Sequence, residues 1–173
     1  MTLSVLAPLL VAVFPAGAIA AALYDATTFT IPNRLTVALA VAFFPVAILL
    51  HMPVETIGAC AAVGVLALIV GIGLFAMNWC GGGDAKMLAA CALWLGAPAI
   101  LPFLFAMSVV GGILALTLMG ARKMMLGSFV LSGPPWLGRL LEPKEALPYG
   151  VAIAIGAMVA FPSSPVFQAL GVH

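Results

Sequence analysis

The sequence predicts an all-α, polytopic membrane protein with six transmembrane helices and its N-terminus outside, forming a single membrane-embedded domain over residues 1–173. Three observations predict it. Of the 173 residues, 65% are hydrophobic and 6% charged, and the mean hydropathy is +1.31; a soluble domain of this composition would expose far too much apolar surface. The apolar residues fall into runs long enough to cross a bilayer, about 17–25 residues at helical rise. The basic residues can all be gathered on one side of the membrane, as they are around cytoplasmic loops.

The first run, residues 3–23, has small residues at Ala18-Ile19-Ala20 that mimic a signal-peptide cleavage site. It lacks a basic leading region and is longer than an ordinary signal core, so it is expected to be a retained helix. The second, 35–50, is short and extends through Arg34 and His51 by snorkelling. The third is 57–77. The fourth, 87–95, lies between the Gly81–Gly83 run and Gly96-Ala97-Pro98, and whether it crosses decides the topology. The fifth is 99–120 and the sixth 147–161, continuing toward Leu170 past Pro162 and Pro165. If all six cross, Arg34, Lys86, Arg122, Lys123, Arg139 and Lys144 share the inner side, with His51 and Glu55 outside. If the fourth does not cross, the basic residues split between the two sides. The segment 121–145 mixes basic residues with Met124, Met125, Phe129, Trp136 and Leu140. It reads either as a stretch on the inner membrane surface or as an ordinary loop.

Composition also excludes several functions. A net charge of +1 and no cluster of Lys and Arg leave nothing to bind nucleic acid. Cys60, Cys80 and Cys91 have neither Cys-x-x-Cys spacing nor an even count, so they read as small packing residues. No His-Glu-x-x-His motif is present, and neither metal nor cofactor is expected. His51 and His173 are expected outside, away from Ser128 and Ser132, which removes a Ser/His dyad.

Asp25 and Asp84 remain. Ionisable groups at a membrane boundary are costly and mark function. Asp25 ends the first helix and Asp84 precedes the fourth, so six crossings put both on the cytoplasmic side. Two carboxylates within reach of one another share a proton. One then deprotonates a water while the other protonates or polarises a peptide carbonyl, which is aspartyl proteolysis without a covalent intermediate. Gly81-Gly82-Gly83 suits a close backbone approach by a second chain, or is a flexible turn ahead of a helix.

Three stretches carry a family resemblance: Asp25 followed by Ile31-Pro32-Asn33, then Gly81-Gly82-Gly83-Asp84-Ala85-Lys86, then Pro148-Tyr149-Gly150. Together they resemble the integral-membrane prepilin peptidases, which are Gly-x-Gly-Asp aspartyl proteases. The resemblance implies Asp25 and Asp84 as the catalytic pair, Gly81 and Gly83 as residues that shape the loop, and Lys86 as a residue that positions or biases Asp84 or simply fixes topology. Pro148, Tyr149 and Gly150 are supporting residues, the proline and glycine shaping the entry of the last helix and the tyrosine bonding near the site. Ile31-Pro32-Asn33 reads as a turn into the second helix rather than a substrate contact.

The implied substrate is a prepilin with a short basic cytoplasmic leader and an apolar helix, cut at the inner face of the bacterial cytoplasmic (inner) membrane. Membrane lipid and pilus or secretion assembly proteins are the other implied partners. Larger members carry a region with two Cys-x-x-Cys pairs and also methylate the new N-terminus; its absence here implies peptidase activity alone. The chain looks most like the compact tight-adherence (Flp) pilus type, and archaeal preflagellin peptidases are similar too. Two other classes fit the same aspartates: a small proton-coupled transporter or channel component using them as a proton relay, which needs carboxylates near mid-bilayer, and an assembly scaffold that tolerates their loss.

Overall fold

The computed structural model describes residues 3–123, 135–142 and 147–171. Met124, Met125, Ser128, Phe129, Ser132, Lys144 and His173 lie outside the described residues, as does the side chain of Trp136. Helices are α1 (Leu3–Thr28), α2 (Asn33–Leu49), α3 (Val54–Ala76), α4 (Gly82–Lys123), α5 (Pro135–Leu141), α6 (Tyr149–Ala160) and α7 (Pro165–Gln168), with a 3-10 turn at Phe161–Ser163 between the last two. No strand occurs among the described residues. Three helices are long and apolar enough to cross a membrane, over Leu6–Thr28, Val54–Ala76 and Gly82–Lys123, and Asn33–Leu49 and Tyr149–Ser163 are shorter apolar helices. Large apolar side chains such as Leu66, Leu101, Phe105 and Leu116 point outward and stay exposed, the arrangement expected when lipid rather than water is the surrounding solvent.

The helix ends follow local chemistry. α1 stops where Phe29 takes a left-handed backbone at φ 56°, its N–H donating to the Asp25 carbonyl. Pro32, with its fixed φ and missing donor, stands just ahead of α2. α3 ends in a left-handed Asn78 at φ 58°, with the Trp79 N–H reaching back to the Leu74 carbonyl at 2.9 Å. That is a Schellman closure, and asparagine tolerates the position better than most residues.

Two boundaries differ from the sequence expectation. Gly82 and Gly83 are not loop: they form the first turn of α4. The Gly96-Ala97-Pro98 stretch is not a connection either, because helix runs on both sides of one non-helical residue, Gly96, at φ 62° and ψ −176°. Only glycine takes this conformation readily. A Cβ there would also stand 2.8 Å from Cys60 Sγ. In the 121–145 segment, α4 persists to Lys123 and the short α5 packs against α1 and α4.

Gly96 reverses the chain. In the first arm of α4, residues 82–95, Lys86 meets Asn33 and Trp94 meets Leu39, so this arm runs parallel to α2. The second arm, 97–123, approaches α6 through Gly111 with Tyr149 and Met107 with Gly156, so it runs antiparallel to α6. α6 is in turn antiparallel to α1, since Gly150 meets Asp25 and Phe161 meets Phe14. With Gly64 against Leu93 and Gly71 against Ala85, α3 opposes the first arm. Phe14 meets Trp94 at one end while Asp25 and Asp84 share a cavity at the other, so α1 opposes the first arm and the six rods alternate in direction. Where α3 crosses α4 and α6 crosses α4, glycine lets backbones approach closely, a device that suits helix packing in lipid.

The core sits toward the end opposite Asp25. Trp94 is fully buried and stacks on Phe14 at 5.3 Å between centroids, with Phe43 edge-on at 5.7 Å. Its indole N–H donates to the Leu39 carbonyl at 2.8 Å, leaving no unsatisfied polar edge. Cys60 and Cys91 are buried packing residues.

Candidate active site

α1 delivers Asp25 in its last turn, and there the side chain is only 5% exposed. Burial demands a partner. The Gly150 N–H, in the first turn of α6, donates to Asp25 Oδ2 at 2.7 Å. Pro148 stands just ahead of that helix, where its lack of a donor costs nothing and leaves the following amides free. Gly150 is required sterically as well: a Cβ on it would lie 2.8 Å from the same carboxylate oxygen and 2.9 Å from Ile31 Cδ1.

Asp84 is the third residue of α4, and its Oδ2 accepts from the Gly81 N–H at 3.3 Å. This is half of a capping box, a side chain in the first turn reaching back to the residue that starts the helix. Within the glycine run the constraints alternate. A Cβ on Gly81 would meet Asp84 Oδ2 at 3.0 Å, and one on Gly83 would meet Ile31 Cβ at 3.3 Å and Ile31 N at 3.4 Å. One on Gly82 finds only ordinary contact with Phe75, at 3.5 Å. The spacing Gly-x-Gly is thus a packing requirement on two faces of one helical turn.

The three stretches singled out in the sequence meet at Ile31. Its buried side chain is wedged between Gly83 and Gly150, and so spaces the two aspartate-bearing elements. Reading Ile31-Pro32-Asn33 as a turn missed this contact; the apolar residue ahead of the proline was the available signal. Asn33 accepts from Lys86 Nζ at 2.8 Å through Oδ1. The ammonium is thereby directed to α2, and no contact between it and Asp84 is present.

Both aspartates line one cavity of about 770 Å³. Gly81, Gly83 and Tyr149 share its wall, and the Tyr149 ring packs over Gly111. Sequence reasoning missed Phe29, Asn78, Trp79 and Met107, which also line it. A signal existed for Trp79, a large aromatic beside the glycine run, which stands 72% exposed. None existed for Met107, which arrives from a distant arm of α4. At the rim, the Arg139 guanidinium of α5 lies 4.9 Å over the Phe29 ring, a cation–π contact, and Arg122 donates to the Leu140 carbonyl at 3.0 Å.

Cys80 lines the cavity too. Burial pushes its thiol pKa up, and the nearby Asp84 charge adds to the shift. A thiol held protonated is a poor nucleophile. No cluster of metal-ligating side chains occurs among the described residues.

Each carboxylate accepts through one oxygen from a backbone N–H, Asp25 from Gly150 of α6 and Asp84 from Gly81 at the start of its own helix. Residues 12–116 match the model of the type IV leader peptidase family, a stretch that includes Asp25, the glycine run, Asp84 and Lys86 and excludes Pro148-Tyr149-Gly150. No curated protein and no solved structure gives a match.

Proposed function

The chain belongs to the type IV leader peptidase family, and from that premise we propose that it is an aspartyl endopeptidase removing the short basic leader of a prepilin, with Asp25 and Asp84 as its catalytic pair. The observation that carries this reading is that both carboxylates line one cavity while each is tethered to a backbone amide.

One carboxylate takes a proton from a water as it attacks the scissile carbonyl; the other, protonated, polarises that carbonyl and then passes its proton to the leaving amine. No covalent intermediate forms. The tethers fix the rotamers, so the two working oxygens need little reorganisation when substrate arrives. Phe29, Trp79 and Tyr149 offer apolar walls for the residues flanking the cut, and the two acids draw in a basic leader. Lys86 and Asn33 act as positioning residues, holding the start of α2 to the start of α4 so that Ile31 keeps its place.

The six alternating rods cross the cytoplasmic (inner) membrane of a bacterium with the N-terminus outside. Arg34, Lys86, Arg122, Lys123 and Arg139 then share the cytoplasmic side with the site. Both acids sit at helix ends rather than at mid-depth, which supports hydrolysis over proton relay. With no Cys-x-x-Cys pair in the sequence, the activity is peptidase alone, of the compact Flp-pilus type.

The test is to incubate the purified protein with a leader-bearing pilin in H₂¹⁸O. Cleavage at a single bond, with one label in the new carboxyl group, is expected; intact pilin would refute the assignment.

A further inference from the structure

α2 and α3 are consecutive, yet they scarcely touch. Both pack on the first arm of α4 instead, so an apolar groove of about 290 Å³ opens between them. Its floor is made of small residues, among them Gly64, Ala89 and Ala90, and its walls carry Val37, Phe44 and Val65. Those wall residues are 44–58% exposed, so the groove faces the surroundings of the bundle and is separate from the catalytic cavity.

Lys86 closes the end of the groove nearest the aspartates. An ammonium has three donors, and Asn33 Oδ1 takes one. Arg34 precedes Val37 by one helical turn, which places it on the groove side of α2 at the same end. Among the described residues no Asp or Glu is hydrogen-bonded to either cation. The lining decides between occupants: apolar residues along the groove with a cation at one end match a ligand with an apolar tail and a single anionic head.

We propose that this groove binds one acyl chain of an anionic phospholipid, with Arg34 and Lys86 holding its phosphate. Basic pockets between membrane helices on the cytoplasmic side recognise such headgroups, and Lys–phosphate bonds are charge-assisted. The lipid would span α2 and α3 where protein contacts do not. It would also brace the Lys86–Asn33 bond that holds the start of α2.

The test is native mass spectrometry of the detergent-purified protein with equal amounts of phosphatidylglycerol and phosphatidylcholine of matched chains. At about fivefold per cation, phosphatidylglycerol should be retained roughly 25-fold better. The double variant Arg34→Gln/Lys86→Gln should bring the two lipids to parity, and Lys123→Gln should leave the preference in place. Ala40→Phe, which fills the groove and keeps both charges, should lose the adduct as well. A photoreactive acyl chain should cross-link to α2, α3 or the first arm of α4. Equal retention by the unaltered protein, an undiminished preference in the double variant, or cross-links confined to α1 and α6 would overturn the proposal. So would displacement of the lipid by a leader-bearing pilin, which would give the groove to the substrate's apolar helix.

Discussion

Gly150 carries two constraints at once. Its N–H holds Asp25 Oδ2 at 2.7 Å, and a Cβ on it would stand 2.8 Å from that same oxygen. Gly150→Ala is therefore expected to displace Asp25 or Ile31, costing about 1–3 kcal/mol of stability as overpacking does and on the order of 10²-fold in cleavage, the penalty of misplacing a reacting group by about 1 Å. Gly112→Ala, whose Cβ would meet nothing within 4 Å, should leave both unaffected. Thermal unfolding in detergent alongside a pilin-cleavage assay separates the two effects. The glycine run gives a second contrast at this scale. Gly83→Ala must push on the Ile31 backbone and should lower the melting temperature, whereas Gly82→Ala meets only Phe75 and should not. Equal losses from both would mean that the alternation in this turn has been misread.

At the scale of the element, the Gly96 break deserves the closest test, since it converts one 42-residue helix into two opposed arms. Gly96→Ala imposes a side chain on a backbone at φ 62° and a contact with Cys60 Sγ. A loss of more than about 1 kcal/mol is expected, and adding Cys60→Ala should recover only the steric share. Full recovery would mean that the dihedral carries no strain. Trp94→Phe keeps the stacked ring and loses the donor to the Leu39 carbonyl; about 0.5–1.5 kcal/mol should disappear from the unfolding free energy. The apolar runs made the existence of these helices legible. Their ends were less so. Gly-Ala-Pro reads as a connection because proline and glycine usually end helices, yet Pro98 falls in the first turn of the second arm, where its missing N–H has no partner to lose. Likewise the glycine run reads as a loop until the Asp84 side chain is seen to start the helix.

At the scale of the whole molecule, sequence located the two acids and the three stretches around them, because charge is so rare in this chain that each polar interruption stands out. What it left dark was the assembly. Ile31 as a wedge, Met107 in the cavity wall and the Lys86–Asn33 bond all depend on which helices are neighbours, and no periodicity encodes that. The alternation of six rods makes a topological prediction. Thr27→Cys should react with reagents confined to the cytoplasmic side and Val54→Cys with reagents confined outside, in a background where Cys80 is replaced by Ser. The reverse pattern would invert the orientation, and labelling of both from one side would contradict the alternation itself.

The central claim is that Asp25 and Asp84 act together on one water. It is tested most directly by comparing Asp25→Asn and Asp84→Asn with the unaltered protein, reconstituted in liposomes with a leader-bearing pilin and followed by the mobility shift that leader loss produces. Each single change removes a proton-transferring group worth about 10²–10⁴-fold in rate. Both variants should therefore insert normally and leave the pilin uncut over times that complete the reaction for the unaltered protein. Processing at a near-normal rate by either one would contradict the account.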